Sequence, residues 1–428
     1  MEEHLAQTIP FIWNKLPALF GSDWPRIERE LWELLRRLEA GEPEAAQAIL
    51  ELFAAHRQAY AVLQSAAQET GNAELEVVGK GGDRGPGAID ILPAGSSVME
   101  RYVVVPVLFG TDREFVDNRF ADIPSEGVLK LGVAQVSVPE DHRMGVMEHP
   151  PWWQFGFGWD PTEHVMVLSV QELDRMEFAA RSIATLAQSG VKQALVFIHG
   201  FSVGFADAAR RTAQLAYDLK FKGLPMFYSW PSVGKLSKKA YQVDEDRIIQ
   251  TRPTLQEFLR LVTTDLGVEA VHLIAHSMGN RALTDILQGL VTNLPKNAAA
   301  LGQVIFAAPD VNARVFSDLA ATFCEAPKRC TLYASSEDRA LKYSSDLHKS
   351  HRAGDSGAYL LLMRGIDTID STAVRTDFVG HSYYGDNSSI ISDIFELIRD
   401  SRPPDDRSCL RPRGNTRRYW VFQAGSNK

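Results

Sequence analysis

From residue 101 onward, short apolar runs alternate with helical stretches, and this alternation restricts the possible folds more than any other feature of the sequence. Helical stretches such as GFADAARRTAQLAYDLKFKG separate most of the apolar runs. The runs include YVVVPVLFG, KLGVAQVSVP, HVMVLSV, QALVFIHG, PMFYSWP, AVHLIAHS, QVIFAAPDV and CTLYASSED. Continuous apolar strands that alternate with helices are typical of a parallel sheet covered on both faces. The sequence therefore predicts an α/β fold with a mostly parallel, doubly wound sheet, whose chemistry gathers at the carboxyl ends of the strands.

Residues 1–68 lack this alternation and predict helices only. In SDWPRIERELWELLRRLEAG, Ser22 or Asp23 is suited to the N-cap, and Pro25 falls in the first turn. Gly41 follows the end of the predicted helix, as helix-terminating glycines do. Apolar residues at helical spacing give this helix one apolar face: Ile27, Leu31, Leu34, Leu35 and Leu38.

The predicted organisation is an all-helical extension at 1–68, a linker at 69–100, the α/β domain at 101–400 and a C-terminal tail at 401–428. The linker is assigned from GKGGDRGPGAIDILPAGSS, which is rich in Gly and Pro. Because two or three amphipathic helices bury little surface alone, their apolar faces need a partner. We expect self-association or a protein partner, with a plain extension packed on the α/β domain as the alternative.

Charge and cysteine content restrict the class of protein. The net charge of −9 argues against nucleic acid as the main partner, because phosphate binding needs a basic field. The three cysteines form no CxxC pair and no disulfide framework. The N-terminus opens acidic without a signal-like apolar run, and no apolar run is long enough to span a bilayer. The sequence thus predicts a cytoplasmic protein without a transmembrane segment.

The stretch VHLIAHSMGNRAL places Ser277 between a predicted strand and a predicted helix. A serine at such a corner is typical of a nucleophile elbow, which lifts the hydroxyl out of the sheet. Ala275 and Gly279 stand two positions to either side and are small, as close backbone contacts there require. Glycine is commoner than alanine at the first of these positions. The alternative role for Ser277 is simply to cap the helix.

Two backbone amides are candidates for an oxyanion hole that would serve this serine. The stretch LVFIHGF ends a predicted strand with His-Gly, the usual form of the loop that supplies one amide. The other amide belongs to the residue after the nucleophile. We therefore predict that the amides of Phe201 and Met278 bind the oxyanion.

An elbow serine is followed in the chain by an acid and then by a histidine. Asp338 and Asp310 both lie at predicted strand ends, and either position can host the acid. We favour Asp338, which follows the penultimate predicted strand. Asp310 directly follows Pro309 at the start of a helical stretch, where it is a natural N-cap and needs no catalytic role.

The histidine is selected by elimination. After Asp338 the chain contains His348, His351 and His381. The first two precede the last apolar run, AYLLLMRGIDTID, whereas His381 follows it in FVGHSYYGD, where the histidine of this architecture belongs. The prediction is His381, with a loop histidine bonded to backbone as the alternative.

From about residue 100 to 400 the sequence resembles a family of bacterial α/β-hydrolases of unassigned function that are esterase- or lipase-like in motif. The resemblance rests on VLFGTDR, VSVPEDHRMG, VFIHGF, FYSWPS, LIAHSMGNRAL, FAAPDV, LYASSEDRAL and GHSYYGD, which occur in this order. It implies the α/β-hydrolase fold, with Ser277, Asp338 and His381 as catalytic residues. It implies little about the substrate, and it does not cover the first 68 residues.

Other segments leave alternatives open. The aromatic stretch 149–164 could line an acyl pocket or touch lipid, but such clusters more often fill their own small core. Residues 232–250 could form a lid or a solvated loop. No clustered ligand motif or phosphate-binding loop is present, so we expect neither a metal nor a cofactor.

Together these features predict a serine hydrolase that cleaves carboxylic esters of small molecules or lipids through a Ser-His-Asp triad and an acyl-enzyme. Two alternatives stay open. One is an effector hydrolase that a partner recruits and activates through residues 1–68. The other is a catalytically silent binding protein built on the same fold.

Overall fold

The computed structural model of the chain describes residues 24–39, 101–116, 119–148, 160–235, 237–374 and 388–423. By contacts between residues, the chain divides into two compact units. One consists of Met1–Met99 with His149–Asp160, and the other of Glu100–Glu148 with Pro161–Lys428.

In the first unit, the described residues form helix α1, Trp24–Glu39. Ile27 and Leu31 are completely buried and Leu34 is nearly so, and the three lie on one face because they are spaced by four and three residues. The amphipathic helix predicted here is therefore present. The remainder of 1–68, the linker at 69–100 and the aromatic residues of 149–159 lie outside the described residues.

The second unit begins with strands and then alternates strands with helices, as the sequence predicts. Its strands are β1 Tyr102–Thr111, β2 Arg113–Val116, β3 Arg119–Pro124, β4 Lys130–Pro139, β5 Met166–Leu173, β6 Gln193–Ile198, β7 Leu224–Ser229, β8 Ala270–His276, β9 Ala300–Ala307, β10 Arg329–Ala334, β11 Ile366–Asp370, β12 Leu410–Arg413 and β13 Tyr419–Phe422. Its helices are α2 Arg175–Ser189, α3 Phe205–Asp218, α4 Lys238–Gln250, α5 Arg252–Thr264, α6 Gly279–Asn293, α7 Ala313–Phe323, α8 Arg339–His348 and α9 Ser388–Asp400.

Eleven of these strands form one sheet in the order β12-β13-β11-β10-β9-β8-β6-β7-β1-β4-β5. The seven pairings from β1 across to β13 are parallel, whereas β1–β4, β4–β5 and β12–β13 are antiparallel. Successive residues of β8 belong to different cores, since Leu273 and Ala275 pack on one face and Ile274 on the other. The mostly parallel sheet covered on both faces is confirmed.

The sheet continues beyond residue 400, where a tail was predicted to begin. Strands β12 and β13 form an antiparallel pair, and β13 lies parallel to β11. Trp420 and Phe422 are buried in the same core as α9. Residues 410–422 therefore belong to the α/β domain.

A buried histidine anchors the loop that follows β4 to the end of α3. His142 contacts the Glu148 carboxylate through Nδ1 at 2.6 Å and the Asp218 carboxylate through Nε2 at 2.9 Å. Asp218 also accepts a hydrogen bond from the Gly145 amide at 2.9 Å. Burial alone would lower the pKa of His142, but the hydrogen bonds to Asp218 and Glu148 raise it to about 9. The imidazole is therefore charged in the folded protein at neutral pH.

This anchor predicts a loss of stability in mild alkali. The pKa of His142 rises on folding from about 6.5 to about 9. The stabilisation is therefore complete below pH 6.5 and disappears as the pH rises through about 9, a change of roughly 3 kcal/mol by linkage. Urea denaturation of wild type and His142→Gln across this range measures the effect, which the variant should lack.

A second buried histidine supplies the control. Burial lowers the pKa of His272 to about 4, so this side chain stays neutral across the same range. His272→Asn should lower stability equally at every pH tested and keep the wild-type pH dependence. If His142→Gln also keeps it, the Glu148–His142–Asp218 contact is not the source of the alkaline loss.

Candidate active site

Ser277 occupies the corner between β8 and α6. Its backbone lies in the left-handed region at φ 47°, a conformation that costs an L-residue about 1–2 kcal/mol and often marks a functional site. The side chain is almost buried, with 8% of the residue exposed. The Ser277 amide donates to the Ala307 carbonyl at 2.9 Å, which fixes the corner against the end of β9. The predicted strand–turn–helix corner is thus present, with the strained backbone that an elbow has.

The close approach of two loops explains why residues beside Ser277 are small. A Cβ on Gly279 would lie 2.4 Å from the His199 carbonyl oxygen. On the facing loop, a Cβ on Gly200 would lie 2.9 Å from the Ser277 Cβ. Ala275 is fully buried within β8, and the alanine methyl is accommodated there. The two glycines therefore bring the loop after β6 directly against the corner.

Asn280, whose role the sequence analysis did not identify, stabilises the corner. Asn280 is fully buried, and its Nδ2 donates to the carbonyl oxygens of Ala275 at 3.1 Å, Ser277 at 3.1 Å and Ala307 at 3.2 Å. These carbonyls belong to the end of β8, the corner and the end of β9. An asparagine three residues after an elbow serine is the signal that could have identified this role.

The two amides predicted for the oxyanion hole belong to the two segments that meet at this corner, the N-terminus of α6 and the loop after β6. Met278 follows Ser277 at the N-terminus of α6, where the first amides have no partner within the helix. The hydrogen bonds of this turn run from Asn280 N to Ser277 O and from Arg281 N to Met278 O, so within the described residues they do not use the Met278 amide. Phe201 follows Gly200 in the facing loop. This arrangement is compatible with Phe201 and Met278 as the oxyanion donors, which stays a prediction.

Asp338 lies at the carboxyl end of β10, in the loop that leads into α8. It is the N-cap of α8, and its Oδ1 accepts a hydrogen bond from the Leu341 amide at 2.9 Å. The residue is neither fully buried nor fully exposed.

The expectation that Asp310 caps a helix is wrong. Asn312 is the N-cap of α7, and its side chain accepts from the Arg314 and Val315 amides. Asp310 is instead buried, 2% exposed, and two hydroxyl groups donate to it: Tyr241 at 2.6 Å and Ser344 at 2.5 Å.

Two arginines balance the buried charge of Asp310. Arg281 Nη2 lies 3.1 Å from Oδ2, and Arg352 Nε lies 3.3 Å from Oδ1. Burial would raise the pKa of Asp310, but the two arginines hold it below its usual range. The carboxylate is therefore ionised and occupied by structural partners, which agrees with a structural role.

His381, the predicted base, lies outside the described residues. The two histidines that compete with it have other contacts. His348 Nδ1 lies 2.8 Å from the Ser344 carbonyl oxygen, and its Nε2 lies 2.6 Å from the Glu245 carboxylate. His351 stacks on Tyr359 with ring centres 3.4 Å apart. None of these contacts involves Ser277, so the selection of His381 by elimination stays a prediction.

The segment 232–250 is a packed part of the fold from residue 238 onward, not a solvated loop. Helix α4 buries one face, and Tyr241 on that face reaches Asp310. The buried Asp244 carboxylate accepts from Ser232 Oγ at 2.6 Å and from the Val233 amide at 2.9 Å. These bonds fasten the helix to the loop that precedes it.

The described residues contain neither a metal-ligating cluster nor a membrane-spanning helix. No group of three or more His, Cys, Asp or Glu side chains there is arranged to hold a metal ion. None of the described helices combines the length and apolarity needed to cross a membrane.

The parallel sheet with a strained serine at a central strand–helix corner defines the class of protein, the α/β hydrolases. The family described as "Alpha/beta hydrolase of unknown function (DUF900)" matches residues 175–400, more than half of the chain. The chain belongs to this family, and the resemblance inferred from its motifs is confirmed.

Comparison with individual proteins adds little. A similar solved structure is "The crystal structure of the putative cell surface hydrolase from Lactobacillus plantarum WCFS1", which is 13% identical over 50% of this chain and 94% of that chain, with a TM-score of 0.31. A TM-score this low supports no transfer of function. None of the curated proteins matches the sequence.

Proposed function

We propose that the protein is a serine hydrolase that cleaves carboxylic esters, with Ser277 as nucleophile, His381 as general base and acid, and Asp338 as the carboxylate that orients the histidine. The observation that carries the proposal is the backbone of Ser277. A non-glycine residue at φ 47° is kept only where the surrounding structure holds it. Here Asn280, Ala307 and two close-packed glycines hold it, and the conformation presents a hydroxyl at the carboxyl edge of the sheet.

The reaction follows from these roles. Ser277 Oγ attacks the ester carbonyl carbon while His381 takes the hydroxyl proton. The carbonyl oxygen becomes an oxyanion, which the amides of Met278 and Phe201 stabilise. When the tetrahedral intermediate collapses, the alcohol leaves with the proton from His381. Water activated by His381 then attacks the acyl-enzyme and releases the carboxylic acid.

Neither a metal nor a cofactor enters this scheme, because the nucleophile, base and oxyanion donors are all supplied by the chain. We place the activity in the cytoplasm and expect a small-molecule or lipid acyl ester as substrate. Tyr241 of α4 contacts the Phe201 ring edge to face, with ring centres 5.2 Å apart, and its hydroxyl donates to Ser344 of α8 at 2.9 Å. These two helices therefore lie next to the loop that carries the Phe201 amide.

A fluorophosphonate probe tests the proposal, since it reacts covalently with the activated serine of such a site. The full chain is incubated with the probe, digested and analysed by mass spectrometry, and we expect the adduct on Ser277. A panel of nitrophenyl esters with varied acyl length then gives the preferred substrate class.

The other function classes give different results in the same experiment. A silent binding protein would leave Ser277 unlabelled and the esters intact. A partner-activated effector would label weakly alone and strongly once its partner is added. Labelling of some other serine would show that the nucleophile is misassigned.

A further inference from the structure

A buried arginine far from the nucleophile in sequence contacts the loop that carries the Phe201 amide. Arg113 is the first residue of β2 and is completely buried. Its Nη2 donates to the Val203 carbonyl at 2.9 Å, and its Nε donates to Ser229 Oγ at 2.8 Å. Asp122 balances the charge, with its Oδ1 at 2.6 Å from Nη1. A buried guanidinium with this many contacts has a fixed position.

Ser229 connects the fixed Arg113 side chain to His199. Ser229 Oγ lies 3.2 Å from His199 Nε2, and the Nδ1 of the same ring lies 2.9 Å from the Gly200 carbonyl oxygen. Burial and the nearby charge of Arg113 lower the pKa of His199 to about 3, so the ring is neutral.

The hydrogen positions follow from which groups can donate. A carbonyl only accepts, so Nδ1 of His199 must carry the hydrogen and donate to Gly200. In a neutral ring the other nitrogen, Nε2, then has a lone pair and must accept from the Ser229 hydroxyl. The Ser229 hydroxyl can donate its hydrogen to His199, because Arg113 Nε is itself a donor and therefore binds a lone pair of Ser229 Oγ. The chain of bonds therefore runs in one direction, from Arg113 through Ser229 and His199 to Gly200.

The end of this chain is the peptide that contains the oxyanion donor. The carbonyl of Gly200 and the amide N–H of Phe201 belong to the same planar trans peptide, in which C=O and N–H point in opposite directions. Holding the Gly200 oxygen in place therefore sets the direction of the Phe201 N–H. Gly200 is also the residue whose missing Cβ lets this peptide approach Ser277.

The His199 ring itself has little freedom to turn. Trp230 stacks on it with ring centres 5.1 Å apart and planes 15° apart. Trp230 Nε1 also donates to the His199 carbonyl oxygen at 2.8 Å. The ring can therefore act as a rigid spacer between Ser229 and Gly200.

We infer that Arg113, Ser229 and His199 are positioning residues for the oxyanion hole, aligning the Phe201 amide through the Gly200 carbonyl. This inference rests on the proposed function. The inference adds to that function a chain of buried hydrogen bonds, here called the relay, which requires all three side chains. Since an oxyanion donor acts on the transition state more than on the bound ester, disturbing the relay should lower kcat and leave KM nearly unchanged.

The sharpest test compares two buried serines. Ser229→Ala removes the hydroxyl that joins Arg113 to His199, whereas Ser232→Ala removes an equally buried hydroxyl that donates to Asp244. Losing an oxyanion donor outright costs about 10²–10³-fold, so misalignment by Ser229→Ala should lower kcat and the rate of Ser277 phosphonylation at least about tenfold. Ser232→Ala should change kcat less than about twofold at a comparable loss of stability. Equal kcat values in the two variants would overturn the inference that the relay aligns the Phe201 amide.

A second pair of variants decides the matter even if Ser229→Ala does not fold. His199→Asn places an amide N–H where Nδ1 stands and can still donate to Gly200, whereas His199→Leu cannot. The asparagine variant should keep more of the wild-type kcat than the leucine variant, with similar KM. Equal loss in both would refute the inference. Failure of the proposed function itself is distinguishable, because then wild-type Ser277 would not react with the fluorophosphonate at all.

Discussion

Ser277→Ala should abolish ester hydrolysis while the protein stays folded. Loss of a triad nucleophile costs on the order of 10⁴-fold or more in rate. The fold should survive because alanine keeps the Cβ, and the hydrogen bonds of this corner in the described structure use the Ser277 backbone. The rate of nitrophenyl ester hydrolysis measures the loss of activity, and thermal unfolding of both proteins shows whether the variant stays folded.

Two further variants make the result specific. Ser182→Ala removes a buried hydroxyl that donates to the Phe178 carbonyl within α2, and it should keep the wild-type rate. Ser277→Gly should be as inactive as Ser277→Ala. Because glycine adopts φ 47° without strain, it should also be more stable than the alanine variant, by up to about 1 kcal/mol. Equal hydrolysis by wild type and Ser277→Ala would mean that another residue is the nucleophile.

The corner could be predicted from sequence because its determinants are local. A buried strand, a serine flanked by small residues and a helix all fall within VHLIAHSMGNRAL. The alternation of strands and helices predicted the parallel sheet for the same reason, since each element carries its own pattern. The role of Asn280 is equally local and was missed only because an asparagine in a first helical turn has several uses.

What sequence could not supply are contacts between distant segments. Arg113 and Ser229 are 116 residues apart, and Tyr241 and Asp310 are 69 apart. A charged residue such as Arg113 is ordinarily exposed, and nothing near it in the chain indicates burial. The short strands β12 and β13 were missed for a related reason, because four residues each are too few to show a period.

The misplaced N-cap shows the same limit at shorter range. Asp310 and Asn312 are both suited to cap α7 and stand two residues apart. The partners of Asp310 decide between them, and these come from α4, α6 and α8. Because the Asp310 side chain is bound to these partners, Asn312 caps α7 instead.

Asp338→Asn should lose most of the catalytic rate and little stability. Asparagine is as good an N-cap as aspartate, so the bond to the Leu341 amide and helix α8 should be kept. What is lost is the negative charge that, in the proposed triad, fixes the tautomer of His381 and stabilises its charged form. In a well-studied triad this change costs about 10⁴-fold in kcat. The measurements are kcat on a nitrophenyl ester and the free energy of unfolding.

Asp310→Asn should show the opposite pattern. Arg281 and Arg352 would then face a neutral amide in a buried site, and breaking a buried ion pair in this way costs about 3–5 kcal/mol. At a temperature where the variant is still folded, it should retain far more activity than Asp338→Asn, because the Asp310 side chain binds hydroxyl and guanidinium groups instead of a histidine. If Asp310→Asn proves the slower enzyme and Asp338→Asn the less stable one, the acid of the triad is Asp310, and the buried network around it has a catalytic role.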